Sequence, residues 1–265
     1  MVSLDYPDYL NHIRQESRRF RDVLATCDPE ARVPGCPDWS AADLLWHLAE
    51  VQWFWGKTIR TRPDSPGDND PGPERPESFD GMLAAFDDYS AGLIHELERV
   101  DPAEPAWSWS AEQTAGFTFR RQAHEALIHR LDAEQAAGEV TPLDATLASD
   151  GVLECLDIMY GGCPPWGEFH GLARYVRLDC TDTGDRVWTQ IGRFVGTDPE
   201  DGTHYDDNDI NVVPDPGTDP DIVIAGPAGP LNAWLWRRGD GADVSITGEG
   251  PALDHFREAV SHPIN

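Results

Sequence analysis

Apolar residues recur at Leu10, Ile13, Phe20, Val23 and Leu24 with Arg and Glu between them, a spacing that predicts an amphipathic helix from Tyr9 to about Cys27. Ser40 opens a second helix, which runs to about Arg60 on Leu44, Leu45, Leu48, Val51 and several tryptophans. Asp43 follows that cap three residues on, where a carboxylate complements the first turn. Residues 27–39, CDPEARVPGCPDW, read as a loop, and 61–76, TRPDSPGDNDPGPERP, as a polar connection without core-forming residues. A third helix starts near Glu77 and carries Phe79, Met82, Leu83, Phe86, Leu93, Ile94 and Leu97. Asp101–Gly116 is read as a loop holding Trp107 and Trp109. A fourth helix, about Phe117–Ala137, stops at Gly138, and a fifth, about Leu143–Tyr160, stops at Gly161-Gly162. Helices of this length joined by loops of varied length predict an α bundle.

After Gly161–Pro165 the period changes. Arg174–Cys180 (RYVRLDC) alternates polar and apolar, Val187–Val195 is strand-like, and Asp221–Ala225 (DIVIA) is a short buried strand. Gly229–Arg238 reads as a helix, Asp243–Thr247 as a strand and Ala252–Val260 as a closing helix. The expected organisation is therefore a helical domain over 1–164 and a small α+β domain over 165–265.

Composition narrows the partners. The 265 residues carry 20 Lys and Arg against 48 Asp and Glu, for a net charge of -28. Such a surface repels phosphate backbones and anionic lipid, so neither nucleic acid nor membrane is an expected partner. Lys57 is the single lysine, as a GC-rich genome or adaptation to salt would each produce. No apolar run reaches membrane-spanning length, and the start, MVSLDYPDYLNHIRQ, lacks the basic and apolar regions of a signal peptide. Cys27, Cys36, Cys155, Cys163 and Cys180 are odd in number and scattered without CxxC, which suits reduced thiols in a cytoplasm.

The chemistry centres on RRQAHEALIHRLDAE, residues 120–134. Each helical residue turns about 100°, so Glu125 and His129, four apart, share one face, and Asp132 stays on it. A Glu-x-x-x-His pair is common and usually belongs to a solvated helix face. Here Leu127, Ile128 and Leu131 make the helix a buried one, and buried charges need partners. A divalent metal supplies one reason for the cluster, with His47 in WSAADLLWHLAEV as the best third ligand and Glu50 as an alternative. Asp132 would then orient His129, or Arg121 would hold Glu125. Two His and one Glu leave a coordination position open, as catalysis requires. There is no HExxH, because Ile128 stands where the second histidine would be, and no GxSxG, P-loop or GxGxxG after a strand. Trp39 and Trp109 precede the ligand-bearing helices and are candidates for the pocket mouth.

Together, WSAADLLWHLAEV and TAGFTFRRQAHEALIHRLDAE resemble the mycothiol-dependent maleylpyruvate isomerase family of the DinB-like bundle superfamily. The C-terminal part, including LNAWLWRRG, resembles that family's small α+β domain of sterol-carrier-protein type. The resemblance implies zinc or another divalent metal on His47, Glu125 and His129, and mycothiol as cosubstrate with its sulfur at the metal. It implies a cytoplasmic isomerase or thiol transferase acting on a small electrophile. It further implies that an arginine of the second domain, Arg237 or Arg238, meets a substrate carboxylate. A non-catalytic DinB-like binding protein and a metal-dependent hydrolase remain as alternatives on the same scaffold.

Overall fold

The computed structural model describes residues 4–67, 71–262 and 264. Three residues of the connection read over 61–76, namely 68–70, lie outside the described residues. The chain divides into two compact units, Leu4–Leu143 and one that holds Asp144–Asn265.

The first unit is the helical one. It contains α1 (Tyr6–Leu24), a ribbon of β1 (Arg32–Val33) and β2 (Cys36–Ser40), then α2 (Ala41–Thr61), α3 (Phe79–Leu97) and α4 (Ala115–Ala137). Helix α1 packs on α4, and α2 packs on both α3 and α4. The apolar stripe read in α1 is the face it buries, and Phe20 and Leu24 join Leu44, Leu45, Leu48 and Phe86 in one core. Removing such a side chain from water contributes on the order of 2 kcal/mol.

Helix α2 begins as its sequence requires. The Ser40 hydroxyl accepts from the Asp43 N–H, and the Asp43 carboxylate accepts from the Ser40 N–H, which closes a capping box. Helix α4 ends at Gly138, whose φ of 79° is the left-handed conformation that glycine adopts without steric cost.

The segment 27–39 departs from the expected plain loop. Val33 pairs with Cys36 across Pro34-Gly35, and both flanking side chains are buried. The ribbon is too short to show a period in the sequence, and its prolines disguise it. It delivers Trp39 and Ser40 to the start of α2.

The second unit begins earlier than the expected boundary at 165. Helix α5 (Ala145–Glu154) continues as a π-helical turn over Cys155–Tyr160 and belongs to this unit rather than to the bundle. Its partner is α6 (Ala228–Leu235). The approach is close: a Cβ on Gly151 would stand 2.8 Å from the Asn232 amide nitrogen. An α5 built of bundle-like apolar residues carries no sequence mark of which layer it joins.

The sheet has the order β5-β4-β3-β6-β7, with β3 Gly167–Cys180, β4 Arg186–Thr197, β5 His204–Val213, β6 Ile222–Gly226 and β7 Ser245–Thr247. Only the β3–β6 pair is parallel. Helix α7 (Pro251–Ala259) closes the unit against β5 and β3.

Strand β5 went unread in the sequence. HYDDNDINVV has no apolar alternation at its start because it is an edge strand that pairs with β4 alone.

Asp43 and Asp209 give this fold a pH signature. The Ser40 N–H and hydroxyl, with Arg75, hold the Asp43 carboxyl down to about 2. The cap therefore stabilises fully above the ordinary carboxylate range and is lost as pH falls toward 2. Asp43→Asn is expected to lower urea stability at pH 7 by about 1 kcal/mol, with the difference from wild type shrinking below pH 4. Burial pushes Asp209 up to about 6, so its folded form holds its proton longer than the unfolded one and stability declines as pH rises through that range. Asp209→Asn is expected to raise the melting temperature at pH 8 and leave it unchanged at pH 4.

Candidate metal centre

Helix α4 is buried on nearly every side. From Ala115 to Glu134 only Arg120 escapes burial, yet the segment carries Arg121, His124, Glu125, His129, Arg130, Asp132 and Glu134. Burying charge is costly unless each group is paired. On the α1 side Arg130 donates to Glu16 at 2.7 Å and to Glu134 at 3.0 Å, and Arg19 donates to the same Glu134 at 2.7 Å.

On another face the pairing converges on one point. His129 Nε2 stands 3.1 Å from Glu125 Oε1, and His47 Nε2 reaches the same oxygen from α2 at 3.5 Å. Glu125 Oε2 accepts from Arg121 Nη2 at 2.7 Å, which leaves Oε1 to the two histidines. His129 Nδ1 lies 3.0 Å from Asp132 Oδ2. Burial pushes the Glu125 carboxyl up, but Arg121 beside it, with His129 and His47, outweighs that and holds it well below the usual range. For His129 burial favours the neutral ring, and the hydrogen bonds to Asp132 and Glu125 outweigh it and raise its pKa.

These three residues fit a metal. His47 Nε2, Glu125 Oε1 and His129 Nε2 all lie within 4.8 Å of one another. Ligand atoms at 2.0–2.1 Å from a tetrahedral zinc stand roughly 3.3–3.4 Å apart. The separations of 3.1 and 3.5 Å bracket that edge. His47 Nε2 is buried and makes no hydrogen bond among the described residues, as expected of a nitrogen whose partner is an ion. Asp132 on the far nitrogen of His129 is the carboxylate–histidine arrangement that fixes a ligating tautomer.

The structure brings the three expected donors together, and Arg121 and Asp132, expected as alternative supports, both pair with them. Glu50, the alternative ligand, is not in the cluster. Trp39 lies against the donors, its ring centroid 4.7 Å from that of His47 and 6.3 Å from that of His129. Trp109 stands instead at the start of α4, half exposed and edge-on to Phe117 at 5.4 Å.

Arg237 and Arg238 follow α6 within the second unit. Arg238 is buried and donates to the carbonyls of Trp236 and Ile264, while Arg237 is exposed and donates to the carbonyl of Ser261. Both thus tie down the C-terminal segment. Two residues that sequence reasoning passed over also lie on α4, Thr118 and Gln122, whose polar atoms are buried without partners among the described residues. Nothing in a linear pattern marks an unpaired amide.

Residues 10–134 match the mycothiol maleylpyruvate isomerase N-terminal domain, and residues 146–255 match the C-terminal domain of the same family. The chain belongs to the mycothiol maleylpyruvate isomerase family. Two crystal structures share its fold at 14% sequence identity, covering 95% of this chain and 98% of theirs. One is the mycothiol-dependent maleylpyruvate isomerase, with a TM-score of 0.61, and the other a histidine-to-alanine mutant of the mycothiol-dependent maleylpyruvate isomerase, with a TM-score of 0.63. No curated protein matches the chain.

Loss of a supporting carboxylate typically costs a metal site 10–100-fold in affinity. Asp132→Asn is therefore expected to weaken zinc binding by about that factor in competition with a chromophoric chelator, and His129→Ala to abolish stoichiometric binding. An unchanged zinc affinity in Asp132→Asn would remove Asp132 from the centre.

Proposed function

We propose that this member of the family is a divalent-metal-dependent enzyme that uses mycothiol to isomerise, or to transfer the thiol to, a small electrophilic substrate. Zinc is the metal that the donor set suits best. The observation that carries the reading is the convergence of three donor atoms from two helices, one of them a buried imidazole nitrogen with no other partner. A metal held there supplies a Lewis-acid position that lowers the pKa of a thiol.

The chain's own residues do the rest. Arg121 occupies one oxygen of Glu125, so the carboxylate presents a single oxygen to the centre. Asp132 accepts the Nδ1 proton of His129 and turns its lone pair inward. Trp39 packs on the His47 ring and limits its rotation. Glu125 and His129 are buried, which keeps bulk water from one side of the donor set. The family membership supports mycothiol as the thiol, and the five free cysteines suit a reducing cytoplasm.

The test begins with the purified full chain, in which stoichiometric divalent metal is expected in wild type and none in His129→Ala. Mycothiol added to the cobalt-substituted protein is expected to perturb the visible spectrum, and turnover of maleylpyruvate or a related electrophile to require the thiol. Absence of metal from both proteins would defeat the proposal. Ester or amide cleavage without thiol would replace it with the hydrolase reading, and metal binding with no turnover would replace it with a binding role.

A further inference from the structure

Gln122 is completely buried, and neither its amide nitrogen nor its amide oxygen has a hydrogen-bond partner among the described residues. Thr118, one turn earlier, is completely buried with an unpartnered hydroxyl. A threonine inside a helix ordinarily bonds back to the carbonyl four residues before it. Thr58 does so to Phe54, and Thr61 to Lys57, but Thr118 does not. Elsewhere on α4 the charged groups are paired, including Arg121, Glu125, His129, Arg130 and Glu134. Among the described residues, Thr118 and Gln122 supply the unmet groups on the face of α4 that also carries Glu125 and His129.

That face leads into the metal centre. Gln122 precedes Glu125 by three residues and Thr118 precedes Gln122 by four, so at about 100° per residue both share the face of Glu125 and His129. Along the axis Gln122 stands about 4.5 Å from Glu125, and Thr118 about 10 Å. Buried polar groups in native proteins find partners, and apolar residues of similar volume would serve packing better here. The orphan at the centre, His47 Nε2, has an assigned ligand; Gln122 and Thr118 have none.

We propose that Gln122 and Thr118 form a subsite for an amide group of the thiol whose sulfur sits at His47, Glu125 and His129. A carboxamide side chain offers a donor and an acceptor side by side, the complement of a secondary amide. The spacing selects thiols that carry this amide within a few bonds of sulfur, since one helical turn is all that separates Gln122 from the donors. The inference rests on the metal-and-thiol reading and adds to it the recognition of the thiol's first polar group.

N-Acetylcysteine and 3-mercaptopropionate differ by a single acetamido group and make the test. Each is titrated into cobalt-substituted full-length protein and followed by the visible spectrum. Wild type is expected to bind N-acetylcysteine about tenfold more tightly. Gln122→Leu is expected to erase that preference while leaving cobalt affinity and the 3-mercaptopropionate titration unchanged, and to raise the melting temperature by removing an unpaired amide. Gln122→Met provides the same comparison if the branched side chain does not fit. Thr118→Val is expected to reduce the preference less. Equal binding of both thiols by wild type, a preference that survives in Gln122→Leu and Gln122→Met, or a lowered melting temperature in both variants would overturn the subsite while leaving the metal-and-thiol reading in place. Cobalt binding without response to either thiol would overturn both.

Discussion

Helix α4 must bury charge, and the rest of the bundle answers that demand. A helix enclosed on nearly every side has two stable solutions: apolar residues throughout, or charged groups each given a partner. This chain takes the second. Arg130, Glu134, Glu16 and Arg19 fasten α1 to α4, while Arg121, Glu125, His129 and Asp132 build a second network toward α2. A buried ion pair is poor evidence of net stability, because desolvation consumes most of the attraction. Its effect is on register. Sliding α4 by one residue against α1 or α2 would strand several charges at once, so the helices settle where His47, Glu125 and His129 meet.

This ties fold to chemistry without a separate device for each. The capping box at Ser40 fixes where α2 starts, and the Pro34-Gly35 ribbon fixes how the chain enters it. Together they place His47 opposite Glu125. Arg121 and Asp132 then act from the same helix as Glu125 and His129, which they pair with at four and three residues, so the helical repeat alone keeps them aligned. Only the crossing to His47 depends on tertiary packing. Its separation is 3.5 Å, against 3.1 Å for the pair within α4.

The parts of this arrangement legible in the sequence are those governed by local repeats. Glu125, His129 and Asp132 share a face by arithmetic, and Ser40 and Asp43 announce a helix start. His47 was reachable because it sits in an apolar, tryptophan-rich helix where a histidine needs a reason. The ribbon at 32–40 was not legible, since two paired residues leave no period. Strand β5 was hidden by Asp206, Asp207 and Asp209, which an edge strand tolerates and a central strand would not. The place of α5 was hidden for another reason: its apolar face suits α6 as well as it would a bundle, and only the contact at Gly151 decides between them. The place of Arg237 and Arg238 after α6 suggests a ligand-facing role, and in the structure they donate to the carbonyls of Ser261, Trp236 and Ile264.

Exposure within the cluster is uneven. His129 is fully buried and the Glu125 side chain is 6% exposed, but the side chain of His47 is 27% exposed. The two donors on α4 are thus enclosed, and the most exposed side chain of the three is the one on α2, although its Nε2 is itself buried. Trp39 lies beside that side chain, its ring tilted 44° against the imidazole of His47. An indole packed on that ring helps to keep water from the donor set. Local dielectric falls where water is excluded, and a metal's effect on the acidity of a thiol grows as it falls. The ribbon that the sequence concealed therefore belongs to the candidate centre as much as to the fold, because it carries Trp39, whose ring lies against both histidines.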